Sequence, residues 1–325
     1  MSLASLLDAI QGRRALVVGD LMLDEYVFGS ATRISQEAPV MVIRQSGTRA
    51  VPGAAANVAA NMTALGASVE VVGVVGTDPA GDKLAAALVQ SGLGDGGVIR
   101  DPSRVTTRKT RVLANHAHQV LRIDHESTDP VAGEVEQAVI DRALSALPRV
   151  DVVLISDYLK GAVTSRAIQT LVEEGRKAGV PIVANPKPRS LSDYRDAALV
   201  SLNRFEAADY LRLPDGLLDE EAEDAANELR TRLGVDHVVV TLGASGMAAA
   251  GPAGTFFVPA IRVEVYDEAG AGDTVIATIA LGMAARTFER DLLRLAAETA
   301  GAVVRKVGVA VPSAEDLLAI RSRNV

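Results

Sequence analysis

Short apolar runs alternate with amphipathic stretches along most of this chain. Arg14–Gly19 (RALVVG), Val69–Val75 (VEVVGVV), Asp151–Ile155 (DVVLI), Pro181–Ala184 (PIVA), Ala198–Leu202 and His237–Thr241 (HVVVT) are short and mostly β-branched, which predicts buried strands. Between them, Ala54–Leu65, Asp82–Ser91, Val131–Leu147, Ser165–Ala178 and Glu220–Leu233 carry helical patterns, and Ala271–Ala285 and Glu289–Lys306 predict two closing helices. Continuous apolar strands separated by helices are the pattern of a parallel sheet covered on both faces. The expected fold is α/β: one doubly wound, mostly parallel domain over residues 1–325.

Two regions break this rhythm. Tyr26–Phe28 with Val40–Gln45, and Thr107–Leu113 with Gln119–Asp124, read as strand pairs of mixed polarity. Within the second, apolar Val120, Leu121 and Ile123 mix with Arg122 and Asp124, as in a sheet with one wet face. These segments, near 26–46 and 107–124, predict a small antiparallel β flap over the main sheet's carboxyl edge, serving as a lid, a dimer contact or both.

Composition removes several classes of function. A formal charge of −8 argues against nucleic acid as a partner, because a nucleic-acid binder needs a basic stripe to displace counterions. With no cysteine, thiol nucleophiles, iron–sulfur clusters and disulfides are excluded. Arginines follow the short apolar stretch at the N-terminus, the reverse of a secretory signal. The longest apolar helical run, Val275–Ala285, is shorter than the roughly 20 residues that span a bilayer. A cytoplasmic protein with no membrane association is expected.

The strongest chemical signal is Asp267-Glu-Ala-Gly-Ala-Gly-Asp273-Thr274, placed between an expected strand, Ile261–Tyr266, and an apolar helix. Gly270, Ala271 and Gly272 have little or no side chain, so their amides can approach a ligand, and the helix start favours an anion. Amide donors beside an acid that accepts a hydroxyl proton suit phosphoryl transfer, with Asp273 as that acid. The plainer alternative is a helix-capping aspartate after a glycine turn. Asn203 and Glu206 fit a capping box, or contacts to a triphosphate with Glu206 holding Mg²⁺ directly or through water. Thr241, Gly243 and Gly246 form either a hairpin turn or a nucleotide cradle, and Lys187 is either a solvated lysine or a ligand at the sheet edge. Asp20 and Asp24 follow the first strand, where acids can grip sugar hydroxyls or shape a turn; Gly53 and Asn57 open the next helix.

The order of these motifs resembles that of the ribokinase-like (PfkB) carbohydrate kinases: GD at strand one, a Gly-Ala-Asn helix entry, Asn-x-x-Glu, Thr-x-Gly-x-x-Gly and a late Gly-Ala-Gly-Asp. The resemblance runs from Arg14 to about Pro312. More narrowly, GDLMLDEYVFG, RISQEAPVMVI, TRKTRVLANHAHQVLRID, LISDYLKGAV and SLNRFEAADYL are similar to the kinase domain of heptose 7-phosphate kinases, which place a second phosphate on a seven-carbon sugar phosphate. In bifunctional relatives a nucleotidyltransferase domain follows that kinase; here the kinase alone is expected.

The resemblance implies a ribokinase-like fold and ATP-dependent phosphorylation of a sugar or sugar phosphate. Asp273 would be the base, Gly270, Ala271 and Gly272 the anion hole, and Asp20, Gly53 and Asn57 sugar contacts. Lys187, Asn203, Glu206, Thr241, Gly243 and Gly246 would meet ATP or Mg²⁺, with a monovalent cation as a further candidate and a homodimer through the lid. Arg33, Lys109 and Arg111, in or beside the flap, are candidates for the substrate's own phosphate, or else charges that guard strand edges. Two positions depart from the family pattern: Ala269 replaces a hydroxyl residue, and Asn185 replaces an aspartate. They keep open a kinase for another sugar or nucleoside, and a catalytically silent sugar- or nucleotide-binding relative.

Overall fold

In a computed structural model of the chain, which describes residues 1–115 and 118–323, the apolar runs become neighbouring strands of one sheet. The chain enters through α1 (Leu3–Ile10) and β1 (Arg14–Gly19), then runs out along β2 (Leu21–Ile34) and back along β3 (Met41–Ala54). Helix α2 (Ala55–Ala64) leads to β4 (Ser68–Gly76), α3 (Pro79–Gln90) and β5 (Val98–Asp101). A second excursion, β6 (Thr107–Ala114) and β7 (His118–His125), precedes α4 (Gly133–Ala146). Strand and helix then alternate through β8 (Val152–Ser156), α5 (Ser165–Ala178), β9 (Ile182–Asn185), β10 (Leu199–Asn203), α6 (Arg204–Leu211), α7 (Ala222–Leu233) and β11 (His237–Thr241). The hairpin β12 (Gly246–Gly251) and β13 (Gly254–Pro259) completes the sheet, and α8 (Ala271–Ala284), α9 (Arg290–Val303) and α10 (Ala314–Ser322) close the chain.

The main sheet has nine strands in the order β13-β12-β11-β10-β9-β8-β1-β4-β5, parallel except at the β12–β13 edge. Its central strand shows why the fold is doubly wound. Ala15 and Val17 of β1 enter a core shared with α1, α2, α8 and α9, while Leu16 and Val18 enter a second core shared with α4, α5 and α7. Every residue of β1 after Arg14 is buried, which explains its unbroken apolar sequence. From β1 the chain first builds outward through β4 and β5, then returns to the other side of β1 with β8. The reversal opens a crevice beyond the carboxyl ends of β1 and β8, where open α/β sheets bind ligands. Gly19 pairs with Ser156 at this point, so Asp20 and the loop after Ser156 emerge side by side.

The flap is a separate sheet of four strands, β3-β2-β6-β7. Two antiparallel hairpins, β2–β3 and β6–β7, lie side by side and are joined by a parallel pairing of β2 with β6. Its strands extend beyond the expected 26–46, so Asp24 and Gly53 stand at the roots of the lid. The expected segment 107–124 and the expected domain 1–325 include residues 116–117 and 324–325, which lie outside those described. Tyr26 ties lid to body: its hydroxyl accepts from Val309 N at 2.9 Å, and the guanidiniums of Arg49 and Arg111 lie 5.0 and 5.5 Å from its ring centre.

Two expectations need correction. Ile261–Tyr266 alternates like a strand but pairs with none among the described residues, because the chain leaves the sheet after Pro259; the amides of Tyr266 and Asp267 bond instead to Val304 O beyond α9. The last element is also not α9, since α10 follows with its own capping box at Ser313 and Asp316. Among the described residues no helix is long and apolar enough to cross a membrane.

Candidate active site

Helix α8 is buried along most of its length, so the acid in its first turn is carried inside with it. Gly270 caps the helix at φ 84°, a conformation that favours glycine, and a Cβ there would stand 3.0 Å from Asn57 Nδ2. Ala271 N bonds back to Glu268 O at 3.2 Å and Thr274 N to Gly270 O at 3.0 Å. The amides of Gly272 and Asp273 have no acceptor among the described residues, and these are the donors left for an anion. Asp267 braces the turn: Oδ1 accepts from Ala269 N and Oδ2 from Gly308 N, each at 2.9 Å. The loop is thus fastened through its backbone where Ala269 lacks a hydroxyl.

Asp273 makes no capping bond. Its Oδ2 accepts from Asn57 Nδ2 at 2.7 Å and its Oδ1 from the Tyr158 hydroxyl at 2.7 Å. Asn57 comes from α2, which is laced to α8 a second time by Thr274 Oγ1 donating to Asn61 Oδ1 at 2.8 Å. Helix α2 starts from Ala54 at φ 51° and ψ −126°, a conformation strained for alanine by roughly 1–3 kcal/mol. Ala55 N, bonded to Asp20 O at 3.2 Å, helps fix that entry.

Tyr158 was not among the residues nominated from sequence. It lies in the loop after β8, on the crevice where the sheet reverses, and that topological position was the available signal. The loop is anchored by Asp20, whose Oδ2 accepts from the amides of Tyr158 (2.8 Å) and Lys160 (3.0 Å) and whose Oδ1 accepts from that of Ala162 (3.0 Å). Asp157 supports it from below, taking Leu159 N on Oδ1 and the hydroxyls of Ser190 and Tyr194 on Oδ2. Asp20 is only 1% exposed, with its carboxylate turned onto the amides of this loop.

Burial pushes the Asp273 carboxyl up to about 6, with the hydrogen bonds from Asn57 and Tyr158 pulling it down, Asp24 adding to the rise and Lys187 opposing it. Lys187 is not a solvated lysine: Nζ pairs with Glu206 Oε1 at 2.5 Å and lies 4.9 Å from the Tyr158 ring centre. Glu206 Oε2 accepts from Asn203 N at 2.8 Å, and Asn203 Oδ1 accepts from Phe205 N and Glu206 N, both at 2.9 Å, which completes a capping box. The capping-box reading of this pair is thereby met, with Glu206 also held by Lys187. Among the described residues no three acidic or histidine side chains form a ready metal cage.

Next to the α8 turn opens a cleft of about 410 Å³, lined by Thr241, Gly243, Gly246, Ala271 and Gly272 and floored by apolar groups such as Val263. Across the crevice Asp24 forms an ion pair with Arg111, and a Cβ on Gly53 would overlap the Asp24 carboxylate. Lys109, two residues before Arg111 on β6, pairs with Asp124 at 3.2 Å and sits 3.9 Å from Glu126. Arg33 is not gathered with them. It lies exposed roughly 30 Å of extended strand beyond Asp24.

The family described as pfkB family carbohydrate kinase matches residues 13–316. A bifunctional protein HldE of Bradyrhizobium diazoefficiens is 39% identical over 319 residues, 96% of this chain and 64% of that protein. The HldE of Geotalea uraniireducens is 39% identical over 307 residues, 94% of this chain and 62% of that protein. The chain thus spans less than two thirds of these relatives' length. Among solved structures, phosphofructokinase-2 from Escherichia coli in complex with fructose-6-phosphate superposes with a TM-score of 0.80 at 18% identity, covering 96% of this chain and 99% of that one. Arabidopsis thaliana ribokinase complexed with ribose and ATP gives 0.75 at 21% identity, covering 97% and 100%. These two share the ribokinase-like fold.

The raised Asp273 has a consequence for stability. Its folded value of about 6 lies above the ordinary 3.8, so the unfolded chain releases this proton first as pH rises. The native state therefore loses about 3 kcal/mol between pH 4 and 6 and stays at that level above. Asp273→Asn removes this titration. In thermal melts its stability relative to the wild type should rise from pH 4 to pH 6 and then level off.

Proposed function

Because the chain belongs to the pfkB family of carbohydrate kinases, we propose that it moves the γ-phosphoryl group of ATP to a hydroxyl of a sugar phosphate, with a heptose 7-phosphate as the favoured acceptor. The observation that carries this is the placement of one buried carboxylate, Asp273, beside two amides without acceptors among the described residues, at the end of an open cleft.

The acceptor oxygen attacks the γ-phosphorus. As that O–P bond forms, the bond from the γ-phosphorus to the β,γ-bridging oxygen breaks, ADP leaves, and the hydroxyl proton passes to Asp273. The amides of Gly272 and Asp273, at the positive end of α8, meet the charge on the transferring group. Thr241, Gly243 and Gly246 hold the nucleotide in the cleft. Mg²⁺ suits the site as an ion bound largely by phosphate oxygens and water, with Glu206 of the Lys187 pair as the acid able to hold one of those waters. Bound there, it offsets phosphate charge.

An acceptor with a phosphate of its own suits the lid. Register places Arg49, Tyr26, Arg111 and Arg122 in one cross-strand row, and Lys109 in the next row on the same face. Tyr26 on that face reaches the body at Val309, so the basic side chains overhang the crevice. The heptose assignment rests on the segments around Gly19–Gly29 and Thr107–Asp124 and on the HldE relatives.

The opposite face of the lid carries Val27, Val112 and Leu121 in one row and Ile123 in the next. Leu121 and Ile123 are 52% and 53% exposed, with Ile34, Val40 and Met41 exposed at the far end. Apolar groups on an open sheet face suit a second copy of the chain.

In an ADP-release assay with a panel of sugar phosphates, Asp273→Asn should lower kcat by at least about a hundredfold with little change in nucleotide affinity. A variant as fast as the wild type excludes Asp273 as the base. Lys109→Gln with Arg111→Gln should raise KM for the phosphorylated sugar about tenfold or more, and an unchanged KM removes the lid from phosphate recognition. In sedimentation, Leu121→Asp with Ile123→Asp should yield monomers from a wild-type dimer.

A further inference from the structure

Asp273 is held from two sides by groups that are not themselves titrating at working pH. Asn57 approaches Oδ2 from α2, and Tyr158 approaches Oδ1 from the loop after β8. A carboxylate offers about four lone-pair sites, so each oxygen keeps one free for an incoming hydroxyl. Two donors on separate elements also prevent the carboxylate from turning about its own axis.

We propose that Tyr158 is a positioning residue of the kinase reaction: its hydroxyl fixes the reactive orientation of the Asp273 carboxylate and stabilises its ionised form, and Asp20 acts one step removed by anchoring the loop that carries Tyr158. This rests on the assignment of Asp273 as base.

The loop is built for that placement. Three consecutive alternate amides, those of Tyr158, Lys160 and Ala162, converge on one buried carboxylate, and Leu159 between them adopts φ 56° without being glycine. A strained residue held by so many bonds marks a position whose geometry matters. The phenol cannot replace Asp273 as the base. Burial, then the charges of Asp273, Glu206 and Asp24, push it well above its usual 10, so it remains a donor.

The charged groups around the pair come from several elements. Asp24 of β2 disfavours ionised Asp273, while Lys187, after β9, favours it. Glu206 of α6 and Asp24 face the phenol. The Tyr158 ring lies under the Lys187 ammonium, so the residue also holds that cation close to the base.

The test is the pH profile of kcat/KM for the wild type, Tyr158→Phe, and protein carrying 3-fluorotyrosine at position 158, with Asp273→Asn as control. The wild type should lose activity below an acid limb near 6. Tyr158→Phe keeps the ring under Lys187 but removes the donor, and should move that limb up by about one pH unit and lower the alkaline plateau as well, because the carboxylate is then held by Asn57 alone. Fluorotyrosine is a stronger donor of nearly the same shape and should move the limb down, which gives a reading even if the Phe variant folds poorly. A limb that neither change moves, with or without a loss of rate at every pH, overturns the role of Tyr158 and leaves Asp273 in place. A wild type with no acid limb and an active Asp273→Asn overturns the base itself, and this inference with it.

Discussion

The site depends on keeping one carboxylate charged where burial opposes it. Helix α8 is apolar around most of its circumference because it packs between α2, α9 and the sheet, and its first turn brings Asp273 into that setting. Left alone, an acid there would stay protonated and could not accept a proton. Two neutral donors, Asn57 and Tyr158, and one cation, Lys187, counter the desolvation. The balance leaves the group ionised at neutral pH yet basic enough to take a hydroxyl's proton, which is the condition general-base chemistry sets.

Each of those partners is placed by a different feature of the fold. The reversal of strand order between β1 and β8 sets Asp20 beside the Tyr158 loop, and the strained entry at Ala54 turns α2 so that Asn57 reaches across to α8. Lys187 leaves the end of β9 and is steadied by Glu206, itself locked into the cap of α6. The lid brings Asp24 and Arg111 over the same crevice as a closed pair. Strain at Ala54 and Leu159 and the buried charge are costs that the two large cores on either side of the sheet allow the protein to carry.

Much of this was legible from sequence, for identifiable reasons. Strands buried on both faces are continuous apolar runs, so β1, β8, β10 and β11 stood out, and a carboxylate after Gly270-Ala271-Gly272 is unusual enough to mark the candidate turn. Local alternation misled at Ile261–Tyr266, because pattern alone does not say whether a neighbouring strand is present. Asp20 and Asp24 look alike in sequence, yet one faces three loop amides and the other an arginine of the lid, a difference set by tertiary pairing. Tyr158 carried no motif at all. Only the sheet order brings it to Asp273, from 115 residues away.

The ionisation of Asp273 can be observed without turnover. Isotope-edited infrared spectra of protein labelled with ¹³C at the aspartate side-chain carboxyl, taken as wild type minus Asp273→Asn from pH 4 to 8, isolate this one group. A buried acid C=O band giving way to a carboxylate band with a midpoint near 6 is the expected result. A carboxylate already fully ionised at pH 4, or an acid band persisting at pH 8, would contradict it.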